Sequence, residues 1–149
     1  MFKLNSIFVF IFIFAGPVVS LSAINSRADV VIIANSENKT AWDIDELRKI
    51  YLGVVKPLGL TILDQAETQK IREEFYIKFV AKNPSEIKRK RSILIFSGEK
   101  VPLVLPDDSA VFDHVKKHEN AIGYVSKEFM DKEISKTKVG LPASIFIVK

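Results

Sequence analysis

The sequence predicts an α/β domain in which a mixed, largely buried sheet is flanked by helices. Short runs rich in β-branched residues alternate with stretches whose apolar residues recur at helical spacing. Several of those stretches open on Asp or Asn, and two close on glycine, the usual punctuation of short helices. The chain shows no internal repeat, no low-complexity tract and no internal linker.

Val30-Val31-Ile32-Ile33-Ala34 is a continuous apolar run, the pattern of a strand covered on both faces. Asn35 to Thr40 is polar and ends it. Asp43 to Gly53 reads as a short helix, with Asp43 as N-cap, Glu46 at the capping-box position and Gly53 as terminator. Its residues Ile44, Leu47, Ile50 and Tyr51 fall on one face. Pro57 and Gly59 mark a turn before Leu60-Thr61-Ile62-Leu63, a second strand. Asp64 to Thr68 is expected to be a polar connection opening a longer helix, with Ile71, Phe75, Phe79 and Val80 as its apolar stripe. Asn83-Pro84 is a cap followed by a first-turn proline, so a helix should run to about Phe96 and stop at Gly98. Val101 to Leu105 is a candidate strand. Asp107 or Asp108 can cap a helix through His118 that turns Val111, Phe112 and Val115 inward. Ala121 to Val125 is again strand-like, and Ser144 to Val148 is expected as the last strand.

The first 28 residues differ from the rest. They hold no Asp or Glu and five of the chain's eleven phenylalanines. Met1-Phe2-Lys3 is a short positive start, and Ser6 to Val19 is apolar until Gly16-Pro17 interrupts it, which is the pattern of a secretory signal peptide. An apolar run of roughly 13 residues falls short of the roughly 20 that a spanning helix needs, so a retained anchor is the weaker alternative. Small residues suited to cleavage lie at Ser26-Arg27-Ala28, with earlier candidates around Ser20 to Ala23. Cleavage after Ala28 gives a signal peptide of residues 1–28 and a domain of residues 29–149, with periplasmic localisation and no stable membrane insertion afterwards.

The whole chain of 149 residues has a formal charge of +4, and removing Lys3 and Arg27 from its 22 basic residues leaves 20 against 18 acidic ones, or +2. That near-neutral balance carries little information about partners. With no cysteine, a lipid-modified cysteine, a disulfide framework and a thiolate metal site are excluded. A domain of this size buries roughly 65% of its unfolded surface, enough for one core.

No nucleophile-elbow glycines, cysteine nucleophile or P-loop is present, and the chain reads as non-enzymatic and cofactor-free. Lys88-Arg89-Lys90-Arg91 is the densest charge run. Consecutive helical residues point in different directions, so it reads as a solvated helix surface, with contact to an acidic partner or lipid head groups as the alternative and nucleic acid unexpected. His114 and His118 stand at i, i+4, but a zinc site needs a third protein ligand, and an exposed, unliganded pair is expected. Trp42 is expected to pack at the start of the first helix, and Phe75, Tyr76 and Phe79 to pack in the core.

Five segments, in order, resemble the phosphate-binding periplasmic proteins of ABC transporters, and more closely their short single-lobe relatives. They are Val30 to Asn35, Asp45 to Gly53, Asp64 to Tyr76, Ile95-Phe-Ser-Gly98 and Ala121 to Val125. The resemblance implies a single three-layer-like lobe of a type II periplasmic binding protein. It also implies an oxyanion ligand, phosphate first, held by backbone amides and hydroxyls at helix starts, and a membrane transporter or signalling receptor as partner. A ligand-free accessory or sensor module is the alternative.

The family's Ser-Gly-Thr turn is altered here. Aligning Arg72 with the arginine that follows that turn places Thr68-Gln69-Lys70-Ile71 over it, so none of its residues is kept. Aligning on Thr68 puts Glu67 in front, where a carboxylate repels an anion. The candidate anion-binding residues are Thr68, Gln69, Lys70 and Arg72, which offer a hydroxyl, an amide and two cations beside free backbone N–H groups. The other reading is an ordinary helix start capped by Thr68 or Glu67, with Arg72 paired to an acidic neighbour.

Overall fold

The computed structural model describes residues 30–38, 43–57, 59–137 and 145–147, the last three by backbone alone. The signal-peptide boundary at Ala28, Trp42, and Ser144 and Val148 at the two ends of the expected last strand lie outside these residues. Five strands, β1 (Val30–Asn35), β2 (Thr61–Gln65), β3 (Leu103–Leu105), β4 (Ala121–Ser126) and β5 (Ile145–Ile147), form one sheet in the order β3-β2-β4-β1-β5. β2 runs parallel to both β3 and β4, whereas β1 is antiparallel to β4 and β5. The sheet is mixed, as expected.

Helices cover both faces. On one lie α1 (Ile44–Tyr51), α2 (Lys70–Glu74) with its π-helical continuation (Phe75–Val80), and α3 (Pro84–Phe96). α4 (Asp108–Lys117) and α5 (Lys127–Lys136) lie on the other. Because side chains alternate along a strand, β1 sends Ile32 and Ala34 to the first core and Ile33 to the second, and β4 divides Ile122 and Tyr124 from Ala121 and Val125. At Gly123 the second layer closes tightly on the sheet: a Cβ there would lie 2.7 Å from Val111 Cγ1 and 3.1 Å from Leu63 Cβ.

Most ends follow from their caps. Asp43 accepts from Asp45 N, Asn83 from Ser85 N, and Asp107 from Ala110 N. Gly53 and Gly98 take positive φ just beyond α1 and α3.

Three expectations are corrected. Asp64 and Gln65 are the last residues of β2, fully buried, not the start of a loop, because each finds buried polar partners. The longer helix turns π-helical after Glu74 instead of continuing as α; Phe75, Tyr76 and Val80 are buried as expected, while Phe79 packs half-buried against them. α5 has no counterpart among the expected elements. Its start is capped by Ser126 Oγ, which accepts from Phe129 N at 3.2 Å.

Candidate functional site

β2, β3 and β4 end at the same edge of the sheet, and each leads into a helix: β2 into α2, β3 into α4, β4 into α5. The C-terminal edge of parallel strands is where open α/β sheets place their ligands, because helix N-termini converge there with unpaired N–H groups.

Two of the three helix starts are occupied by the chain's own side chains. Asp107 caps α4, and Asp108 accepts from Gln65 Nε2 at 2.6 Å, Ser126 Oγ at 2.6 Å and Ser126 N at 3.2 Å. These carboxylates at α4 oppose an incoming anion. α2 differs: its N-cap is Gln69, which makes no side-chain capping bond. Thr68 and Lys70 are exposed at the same turn and Gln69 is half-buried. The structure thus brings Thr68, Gln69 and Lys70 together at an open helix start. Neither Thr68 nor Glu67 caps it. Glu67 pairs with Lys88 at 2.9 Å, and that bond holds its carboxyl below the usual range.

Arg72 sits apart from them. It is buried, donates from Nε to Asp64 Oδ2 at 3.1 Å and lies over the Tyr76 ring at 5.1 Å. An acidic partner for Arg72 is what the capped-helix reading anticipates.

Asp64 is the centre of a cluster that sequence reasoning missed. Its Oδ2 also accepts from Arg91 Nη1, its Oδ1 accepts from the Tyr124 hydroxyl, and Arg91 Nη2 donates to the Tyr76 hydroxyl. One carboxylate therefore holds two guanidinium groups inside the domain. Arg91 leaves the solvated run expected for residues 88–91, while Lys88, Arg89 and Lys90 stay exposed. Burial works against the Arg91 charge, but Tyr76 and Asp64 offset it and its pKa is raised. For the tyrosines burial acts in the same direction as the Asp64 charge, and the two push Tyr76 and Tyr124 far above the ordinary phenol value. Tyr51 is raised too, by burial first. Gln65 Oε1 and Arg91 Nε are buried without a partner among the described residues. The one available sign was Asp64-Gln65 directly following an apolar strand run, where period-2 alternation carries one residue to each face.

His114 and His118 lie ring to ring, with centroids 4.1 Å apart, and burial, His118 and Lys117 lower the His114 pKa. Among the described residues no group of three or more potential ligands could hold a metal, and no helix is long and apolar enough to cross a membrane.

No protein-family model and no curated protein sequence matches the chain. Solved structures do. A protein described as a phosphate ABC transporter substrate-binding protein, with bound phosphate, from Clostridium perfringens superposes with a TM-score of 0.55 at 17% identity, covering 80% of this chain and 44% of that one. A protein described as a phosphate binding protein, from Planctomyces limnophilus, gives a TM-score of 0.51 at 14% identity, covering 80% and 40%. The fold is that of one lobe of such a binding protein. The chain matches less than half the length of either solved protein.

Proposed function

We propose that this chain is a non-enzymatic binding-protein lobe, exported behind residues 1–28, that holds an oxyanion, phosphate first, weakly at the start of α2. The observation that carries the reading is the open helix start. Of the three helices that begin at the C-terminal sheet edge, α2 is the one without a side-chain cap, and Thr68, Gln69 and Lys70 surround its first amides. The phosphate held by the Clostridium perfringens protein of the same fold supports the ligand class. Arg72 contributes from behind through its buried charge alone, since its backbone N–H donates to Gln69 O at 3.1 Å and Asp64 shares its guanidinium with Arg91. One lobe presents one wall of a cleft, and millimolar affinity is expected of that wall alone.

The test is thermal unfolding with phosphate and sulfate. For a Kd near 1 mM, ~10 mM phosphate stabilises the folded form by about 1.4 kcal/mol, a rise of several degrees. Thr68→Ala combined with Lys70→Gln should abolish the rise without lowering the ligand-free Tm. An equal rise in that variant moves the site elsewhere, and no rise with any oxyanion refutes binding by this chain. Arg72→Ala is a poor probe because it breaks a buried ion pair.

The match to under half of each solved protein supports a second reading, a ligand-free accessory of a membrane transporter or sensor. Recovery of a stable envelope partner together with no oxyanion response would favour it.

A further inference from the structure

A groove of about 690 Å³ opens on the other flank of α3, between that helix, the α1–β2 connection and the starts of β2 and β3. Its lining includes Thr61, while the candidate anion site lies beyond Gln65, about 13 Å further along β2. The two sites are distinct.

The walls are apolar, built from Ile50, Val55, Ile62, Leu94, Val101 and Ile87. Two lip residues, Val54 at 63% and Leu103 at 45% exposure, stand open to water. Uncharged hydrogen-bonding side chains are scarce. Tyr51 already donates its hydroxyl to Leu63 O at 2.9 Å, which leaves Thr61. A sugar or nucleobase would find few partners, and an extended peptide would leave its backbone groups unpaired against these walls.

Charge at the rim is one-sided. Lys56, Lys90, Arg91 and Lys100 face a single carboxylate, Glu99, which Lys56 already holds at 2.8 Å. Lys90 and Lys100 have no ion pair among the described residues. Arg91 turns its Nη groups to Asp64 and Tyr76, and its buried Nε stays without a partner. The volume lies within the range of small-molecule sites.

We propose that this groove binds a single-chain amphiphilic carboxylate, a fatty-acid anion, with the alkyl chain between α3 and the α1–β2 connection and the carboxylate at a rim lysine, Lys90 or Lys100. The chain supplies affinity by leaving water, and the cations fix its direction.

The test is titration calorimetry of the full-length protein, as it accumulates in its host, with octanoate, decanoate and dodecanoate below their micelle concentrations. Each buried methylene should tighten Kd about fourfold, and dodecanol should bind at least about tenfold more weakly than dodecanoate. Lys90→Gln with Lys100→Gln should weaken the carboxylates and spare the alcohol, while Val54→Trp, at an exposed lip, should weaken the whole series. Dodecanoate should bind unchanged in ~10 mM phosphate. A Kd independent of chain length, equal binding of alcohol and acid, indifference to both variants, or competition by phosphate would each overturn the proposal. So would a silent alkyl series alongside a stoichiometric protein complex that Val54→Trp disrupts.

Discussion

Asp64→Asn tests whether the buried cluster holds the first layer of the domain together. Asp64 is fully buried and takes hydrogen bonds from Arg72, Arg91 and Tyr124, while Arg72 is itself only 5% exposed. An amide in its place keeps one acceptor oxygen, turns an NH₂ group toward two guanidiniums and leaves a buried cation unpaired. Removing one partner of a buried pair costs about 3–5 kcal/mol, and at about 4 °C per kcal/mol for a domain of this size the Tm should fall by roughly 12–20 °C. The assay is urea and thermal unfolding at neutral pH of the wild type, Asp64→Asn, Arg72→Met and the double variant. Since Arg72→Met removes the cation that Asp64→Asn strands, the double variant should be more stable than the summed losses predict, by about 1–3 kcal/mol. A loss below about 1 kcal/mol for Asp64→Asn, or simple additivity, would refute the assignment of Asp64 as the common partner.

Gly123→Ala should cost about 1–3 kcal/mol, because the new methyl meets Val111 and Leu63 within 2.7 and 3.1 Å. Val111→Ala should recover part of that loss, as read by urea unfolding, and no recovery would place the strain elsewhere. The chain's three tyrosines are all buried, with pKa values raised by burial. Their stabilising effect is therefore complete below pH 10, the value of an unfolded phenol, and is lost as pH rises above it toward the folded values. In a spectrophotometric titration at 295 nm the phenolates should emerge together with alkaline unfolding, and a phenol ionising near pH 10 in still-folded protein would contradict its burial.

Much of the fold is legible in the sequence where one physical rule acts alone. α1, α3 and α4 declare themselves through Asp43, Asn83 and Asp107, and β1 and β4 through runs with no polar residue to interrupt them. The rest is hidden where tertiary partners override local character. A carboxylate reads as loop until two guanidiniums face it, so Asp64 and Gln65 conceal the end of β2. α5 is mostly polar, with Met130 its one buried residue and Phe129 and Ile134 half-buried, and its cap is the last residue of β4. The candidate anion residues divide for the same reason. Thr68, Gln69 and Lys70 obey the helix start, while Arg72, buried in the same first turn, obeys Asp64.

Arg91 joins two parts of the molecule whose stabilities should differ. Ile87 is the only fully buried side chain of α3, while Ile93, Ile95 and Phe96 on that helix stay exposed. Apolar burial therefore ties α3 down weakly, and much of the tie is polar: Arg91 to Asp64 and Tyr76, and Lys88 to Glu67. Segments with few buried contacts open at less than the global unfolding cost. Backbone amides of α3 should then exchange faster than those of β4, whose residues Ala121 to Val125 are all buried. Arg91→Met should widen that gap. Asp64 keeps Arg72 and Tyr124 in that variant, so the global loss should be smaller than for Asp64→Asn, while protection falls across residues 84–96. If hydrogen exchange in α3 were unchanged, the helix would be held by its apolar contacts after all, and the groove on its flank would be more rigid than its polar attachment implies.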